Sequence, residues 1–159
     1  MHTHCRTGDN SAHGDDATAA STGTTGLGSD GENPTVRMSE DLVKRADGVA
    51  AKAYAPYSSY RVGAVVWTTD GTEFAGVNVE NAAYPLGVCA EKSAIVAAAT
   101  AGYRPGDIAA IGITASPCGG CRQWLHEWRI PSVSFRRADG TIVTYAADEL
   151  LPDTWDLPA

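Results

Sequence analysis

The sequence predicts an α/β domain in which helices cover a mixed sheet of about five strands. Hydrophobic periodicity gives the order helix, two strands, helix, strand, helix, two strands. Two Asp-Gly pairs, Asp70-Gly71 and Asp139-Gly140, each separate strand-like runs and are typical of tight turns. With 159 residues, 43% of them hydrophobic, the chain suits one core rather than two stable domains.

The first 35 residues differ in composition from the rest of the chain. They are mostly Gly, Ser, Thr, Ala, Asn and Asp, with almost no large apolar side chain. Such a segment buries too little surface to offset its ordering entropy, so we predict that residues 1–35 are disordered and that the domain spans residues 36–159. His2, His4 and Cys5 in this segment are interpreted as incidental rather than metal-binding.

The first predicted helix begins near Ser39, a plausible N-cap, and runs to about Tyr54. Strands at 60–67 and 72–77 follow as a hairpin. The remaining predicted elements are a helix at 89–101, a buried strand at 108–114, a helix at 118–128, strands at 133–136 and 142–145, and a short helical turn at 149–152.

The charge and the apolar runs exclude several classes of protein. The net charge of −7 leaves no basic face for phosphates, which disfavours a nucleic-acid partner. No apolar run approaches the roughly 20 residues that span a bilayer, and no basic segment precedes an apolar one at the start. We therefore expect a cytoplasmic protein without a membrane partner.

Three of the four cysteines form a candidate zinc site. Cys118 and Cys121 make a C-x2-C pair, and Cys89 lies 29 positions upstream. Structural zinc is usually closed by four protein ligands, whereas a catalytic zinc has three and keeps one position for water. No fourth ligand is obvious, because Cys5 lies in the polar segment and His126 is well inside the third helix. The pair alone is also compatible with a redox motif or half of a structural zinc knuckle.

The local setting of these cysteines favours catalysis. Both predicted helices begin with a cysteine, and a helix N-terminus stabilises a thiolate. Glu91 lies in the first turn beside Cys89, where a carboxylate can take a proton from metal-bound water and pass it on without being a ligand. Three thiolates and Zn²⁺ retain a charge of −1, and Lys92 and Arg122 are placed to offset it.

From residue 38 onward the chain resembles the small homotetrameric cytidine deaminases, zinc enzymes with an x-Glu motif followed by Pro-Cys-x-x-Cys. The match extends over six motifs in order, so it does not depend on a single short one. They are Tyr54-Ala55-Pro56-Tyr57-Ser58, Val62-Gly63-Ala64, Gly76-Val77-Asn78-Val79-Glu80-Asn81-Ala82, Cys89-Ala90-Glu91, Ser116-Pro117-Cys118-Gly119-Gly120-Cys121-Arg122-Gln123 and Glu149-Leu150-Leu151-Pro152.

The resemblance implies a three-layer α/β/α fold and hydrolysis of cytidine and 2'-deoxycytidine to the uridine compounds in pyrimidine salvage. Zinc-bound hydroxide would attack C4, and Glu91 would protonate N3 and then the leaving ammonia. The resemblance also assigns Asn78 and Glu80 to the ribose hydroxyls and turns the backbone of Ala90 toward the base. It implies a homotetramer.

Several positions depart from the family pattern, among them the following three. Tyr60 stands where a Phe commonly packs on the base or sugar. Lys92 replaces an Arg that bonds the cysteine sulfurs, which keeps the charge and loses the bidentate fork. Trp155 takes the place of a C-terminal Phe that reaches into a neighbouring subunit's pocket.

Other functions remain open on the sequence. A deaminase of a modified nucleoside such as blasticidin S shares the Cys-Ala-Glu and Pro-Cys-x-x-Cys frame, although Asn78 and Glu80 favour an ordinary ribose. A non-catalytic, zinc-stabilised binding module would use the same three cysteines and would not need Glu91. An enzyme that edits bases within RNA or DNA is disfavoured by the acidic balance.

Overall fold

The computed structural model describes residues 34–155, which contain one five-stranded sheet. The strand order is β2-β1-β3-β4-β5. Strand β1 pairs antiparallel with both β2 and β3, β3 pairs parallel with β4, and β4 pairs antiparallel with β5. The predicted mixed five-stranded sheet is therefore confirmed. The strands are β1 Gly63–Thr68, β2 Glu73–Val77, β3 Ile108–Ile113, β4 Val133–Arg136 and β5 Ile142–Tyr145.

Helices cover both faces of this sheet. Residues Val65 and Ala110 pack with Leu42 and Ala46 of the first helix on one face. The side chains at the neighbouring strand positions point to the opposite face of the sheet. A larger cluster on that face contains Val66 together with side chains of the second and third helices. The helices are α1 Pro34–Ala50, α2 Ala90–Thr100, α3 Gly119–Glu127 and α4 Ala147–Leu150, with a 3-10 turn at Tyr84–Leu86.

Helix α1 lies earlier in the chain than the sequence predicts. It begins at Pro34 instead of Ser39, because proline is well suited to the first turn, where an N–H has no helical partner. It ends at Ala50, after which two tighter turns follow, with the Lys52 amide donating to the Val49 carbonyl at 2.9 Å. Tyr54 is not helical and instead pairs with the chain after β2.

Strand β1 also begins later than predicted, at Gly63 rather than at residue 60. The Val62 amide, which a longer strand would offer to the sheet, donates to the Asn78 side-chain oxygen at 2.8 Å. Strands β4 and β5 have the predicted bounds. Gly71 and Gly140 both have a φ of +88°, as the two Asp-Gly turns require.

Two predictions concern residues that the structure does not describe: the disorder of residues 1–35, and the incidental nature of His2, His4 and Cys5. Of residues 1–35, only Pro34 and Thr35 are described, and they begin α1. Within residues 34–155, no helix is long and apolar enough to cross a bilayer.

A close approach between β2 and α2 sets the position of the second helix. A Cβ atom on Gly76 would meet the backbone nitrogen of Ala94 and the carbonyl oxygen of Ala90. Only glycine leaves room for the helix at this distance. The start of α2 is consequently held directly over the sheet.

Candidate metal centre and active site

The sheet order brings the starts of α2 and α3 to the same edge. Strands β2 and β3 are both antiparallel to β1, so they run parallel to each other and their carboxyl ends share one edge. Helix α2 follows β2 and α3 follows β3. Cys89 is the N-cap residue of α2 and Cys118 the N-cap residue of α3, while Cys121 is buried in the first turn of α3.

The three predicted ligand sulfurs lie together, all within 4.8 Å of one another. Cys89 Sγ and Cys118 Sγ are 3.9 Å apart. A tetrahedral ion with Zn–S bonds of about 2.3 Å separates its sulfur ligands by roughly 3.8 Å, so this spacing fits zinc. Among residues 34–155, no further His, Cys, Asp or Glu joins the group. Three protein donors leave one coordination position, as at a catalytic zinc.

The sulfurs differ in acidity because they are hydrogen-bonded to one another. The hydrogen bond from Cys121, helped by Cys118 and the positive charge of Lys92, lowers the pKa of Cys89 to about 6. The same hydrogen bond to Cys89, together with burial, raises the pKa of Cys121. The metal-free cluster thus holds one thiolate readily, and a bound cation displaces the remaining protons.

Lys92 and Arg122, the two predicted counter-cations, occupy different places. Lys92 is close enough to the sulfurs for its charge to act on Cys89. Arg122 donates instead to the carbonyl oxygens of Pro117 and Leu150, at 3.1 Å each. Its role in the structure is to hold backbone together beside the cluster.

Glu91 is the buried acid of the site, with 3% of its surface exposed. Burial, with the neighbouring Cys89 charge, raises the pKa of its carboxyl to about 7. A carboxyl with such a pKa both accepts and donates a proton near neutral pH, which is what a proton carrier requires.

A cavity of about 500 Å³, called the pocket below, lies over the cluster. Seven of the nine predicted site residues line it. Cys121 lies buried in α3, and Trp155 lines a different cavity of about 680 Å³ that shares no lining residue with the pocket. The seven are Tyr60, Asn78, Glu80, Cys89, Ala90, Glu91 and Cys118.

The predicted ribose contacts are hydrogen-bonded to the segment 57–62, called the pocket loop below. Glu80 Oε2 accepts the backbone amides of Tyr57 at 2.8 Å and Ser58 at 3.2 Å. Asn78 donates through Nδ2 to the Tyr60 carbonyl at 2.9 Å. Both side chains therefore organise the pocket wall.

Sequence reasoning gave no separate role to Ser58 or Tyr84, which also line the pocket. Ser58 belongs to the Ala-Pro-Tyr-Ser motif, so the motif signalled its importance without indicating its contacts. Tyr84 is 76% exposed at the rim, where no periodicity marks it.

Comparisons with known proteins agree with this geometry. Residues 36–137 match the family model described as the cytidine and deoxycytidylate deaminase zinc-binding region. A cytidine deaminase of Halalkalibacterium halodurans is 38% identical over 119 residues, which cover 70% of this chain and 89% of that protein.

Solved structures show the same relationship. The cytidine deaminase of Burkholderia pseudomallei superimposes with a TM-score of 0.68 at 42% identity, covering 73% of this chain and 98% of that one. For the cytidine deaminase of Mycobacterium tuberculosis the TM-score is 0.64 at 33% identity, covering 74% and 97%. The fold and the cysteine cluster are those of a zinc-binding deaminase. The chain belongs to the cytidine and deoxycytidylate deaminase family.

Proposed function

We propose that this protein hydrolyses cytidine and 2'-deoxycytidine to uridine and 2'-deoxyuridine, with release of ammonia, in pyrimidine salvage. One observation carries the proposal: three cysteine sulfurs lie beside a buried glutamic acid at one pocket of about 500 Å³. Relatives named cytidine deaminase, matched over most of their length, support it.

In this proposal Cys89, Cys118 and Cys121 hold the zinc ion. Zinc in such a site lowers the pKa of bound water to about 7 and supplies a nucleophile at neutral pH. Glu91 would carry both protons of the reaction, one from the attacking water to ring nitrogen N3 and one from the new C4 hydroxyl to the departing ammonia. Its raised pKa suits both directions of transfer. The Ala90 backbone faces the base.

Asn78 and Glu80 bind the ribose hydroxyls in this proposal, and Tyr60 packs against the base or the sugar. A carboxylate has about four acceptor sites and an amide group has two donors. Both side chains therefore keep hydrogen-bonding capacity for a ligand beyond their bonds to the pocket loop. The placement of all three residues depends on hydrogen bonds with the backbone of the pocket loop, since Glu80 accepts two of its amides and Asn78 bonds the Tyr60 carbonyl and the Val62 amide.

The proposal includes a homotetramer. Large apolar side chains are exposed around the pocket, among them Tyr60 at 63%, Tyr84 at 76% and Leu86 at 71%. A neighbouring copy would cover them and could bring its Trp155, 72% exposed here, to the pocket. It also includes a cytoplasmic location, where thiol ligands stay reduced. Light scattering of the purified protein tests the assembly.

A zinc assay together with ultraviolet-monitored turnover tests the reaction. Zinc bound at about one ion per chain, with cytidine and deoxycytidine converted, supports the proposal. Faster turnover of blasticidin S, or of a single-stranded oligonucleotide, would assign a different substrate. A metal-bound protein that turns over none of them would be a zinc-stabilised binding module.

A further inference from the structure

The hydroxyl of Ser58 connects two parts of the pocket wall. It accepts the Tyr60 backbone amide at 3.0 Å and donates to Glu80 Oε1. An amide N–H only donates and an ionised carboxylate only accepts, so the single hydroxyl proton has one direction in which to point. Ser58 is thus a directed link from the Tyr60 backbone to the Glu80 carboxylate.

The two carboxylate oxygens of Glu80 have different hydrogen-bond partners. Oε2 accepts the two backbone amides at the start of the pocket loop, from Tyr57 and Ser58. Oε1 accepts the Ser58 hydroxyl and keeps a free lone pair for a ligand. These bonds lower the pKa of Glu80, the Ser58 hydroxyl being the main cause, which keeps the carboxylate ionised. Without the hydroxyl, Oε1 would lose the contact that sets its direction.

The same link holds the backbone of Tyr60 from one side, while Asn78 holds it from the other. The Tyr60 amide donates to Ser58, and the Tyr60 carbonyl accepts from Asn78 Nδ2. Ser59, which lies between Ser58 and Tyr60, has a φ of +58°, a left-handed conformation that a non-glycine residue adopts at a cost in free energy. The hydrogen bonds on both sides stabilise that turn, so the position of the Tyr60 ring depends on them.

We propose that Ser58 is a positioning residue that sets the affinity of the pocket for the sugar part of a nucleoside, through Glu80 and Tyr60. The inference rests on the proposed function, since it takes a cytosine nucleoside as the ligand. Ser58 acts on groups that bind the sugar and is bonded neither to Glu91 nor to the sulfurs. Its removal should therefore change binding and leave the chemical step alone.

Ser58→Ala removes the hydroxyl, Ser58→Thr keeps it, and Ser59→Ala removes a neighbouring hydroxyl that has no hydrogen bond among the described residues. We expect Ser58→Ala to raise KM for cytidine about three- to tenfold, the size of the net contribution of one ordinary hydrogen bond, with kcat within about twofold. Ser58→Thr and Ser59→Ala should keep the parent KM. An unchanged KM in Ser58→Ala, or an equal rise in all three variants, would overturn the proposal.

Binding measured without turnover separates this inference from the proposed function. In the zinc-loaded Glu91→Gln background, calorimetry gives the dissociation constant for cytidine, which Ser58→Ala should raise by the same factor. Cytidine binding that depends on Ser58, in a parent protein that does not turn cytidine over, would sink the proposed function and support the positioning role. Normal turnover with cytidine binding that does not depend on Ser58 would support the proposed function and overturn the positioning role.

Amide hydrogen exchange should be faster at Tyr60 in Ser58→Ala, and unchanged exchange would also count against the link.

Discussion

The guanidinium of Arg122 donates a hydrogen bond from Nε to the carbonyl oxygen of Pro117 at 3.1 Å. Its Nη1 atom donates to the carbonyl oxygen of Leu150, also at 3.1 Å. Pro117 immediately precedes the ligand Cys118, and Leu150 is the last residue of α4. One half-buried side chain thus joins the turn that carries a zinc ligand to the C-terminal helix.

Replacing Arg122 by alanine should loosen the metal centre. Two carbonyl oxygens lose their donor, and each costs about 1–3 kcal/mol where it stays out of water. We expect zinc transfer to a chromogenic chelator to be several-fold faster in Arg122→Ala, and intermediate in Arg122→Lys, whose ammonium lacks the planar fork. Arg104→Ala is the matched control, because Arg104 also donates to two carbonyls, those of Ala99 and Tyr103, away from the cluster. Equal release from Arg122→Ala and Arg104→Ala would contradict the prediction.

Zinc content should depend on three cysteines and not on the fourth. Cys89→Ala and Cys121→Ala each remove one of three converging sulfurs, so we expect zinc to fall from about one ion per chain to nearly none. Cys5→Ala should keep the full content. Elemental analysis after dialysis checks this, and a loss of zinc from Cys5→Ala would mean a fourth sulfur ligand and a closed site.

Glu91→Gln should separate metal binding from proton transfer. The amide has the shape of the carboxyl but neither takes up nor releases a proton at neutral pH, so kcat should fall about 10²- to 10⁴-fold while zinc stays bound. The melting temperature should hold or rise, because a buried ionisable group is replaced by a neutral one. Glu127→Gln changes an exposed carboxyl on α3 and should leave kcat as it is. Substantial turnover by Glu91→Gln would remove Glu91 from the mechanism.

Gly76→Ala should destabilise the fold through α2. The added methyl group meets the backbone of Ala90 and Ala94, which cannot rotate away as a side chain could. We expect a loss of about 1–3 kcal/mol or more and a melting temperature several degrees lower. Gly48→Ala, in open space within α1, should instead stabilise by about 0.5–1 kcal/mol. Thermal unfolding of both variants, followed by circular dichroism, tests the contrast in sign.

Local chemistry made much of the fold predictable. The Asp-Gly pairs demand a positive φ at Gly71 and Gly140, which few other residues adopt as easily, so both turns were placed correctly. Helix α1 was misplaced because a serine and an apolar pattern also fit a later start. The late start of β1 could not be predicted, since it follows from the Asn78 side chain bonding Val62, 16 residues away.

The kinds of group at the active site were determined by the sequence itself. Three cysteines supply soft ligands, and Glu91 next to Cys89 supplies a proton carrier, because those properties belong to the residue types and to helix starts. Only the tertiary structure decided that Cys89 and Cys118 lie 3.9 Å apart, that Glu91 is buried, and that Asn78 and Glu80 bind the pocket loop. The strand order brings the starts of α2 and α3 to one edge of the sheet, and burial raises the pKa of the Glu91 carboxyl. Both arise from contacts between residues distant in the chain, which no local pattern contains.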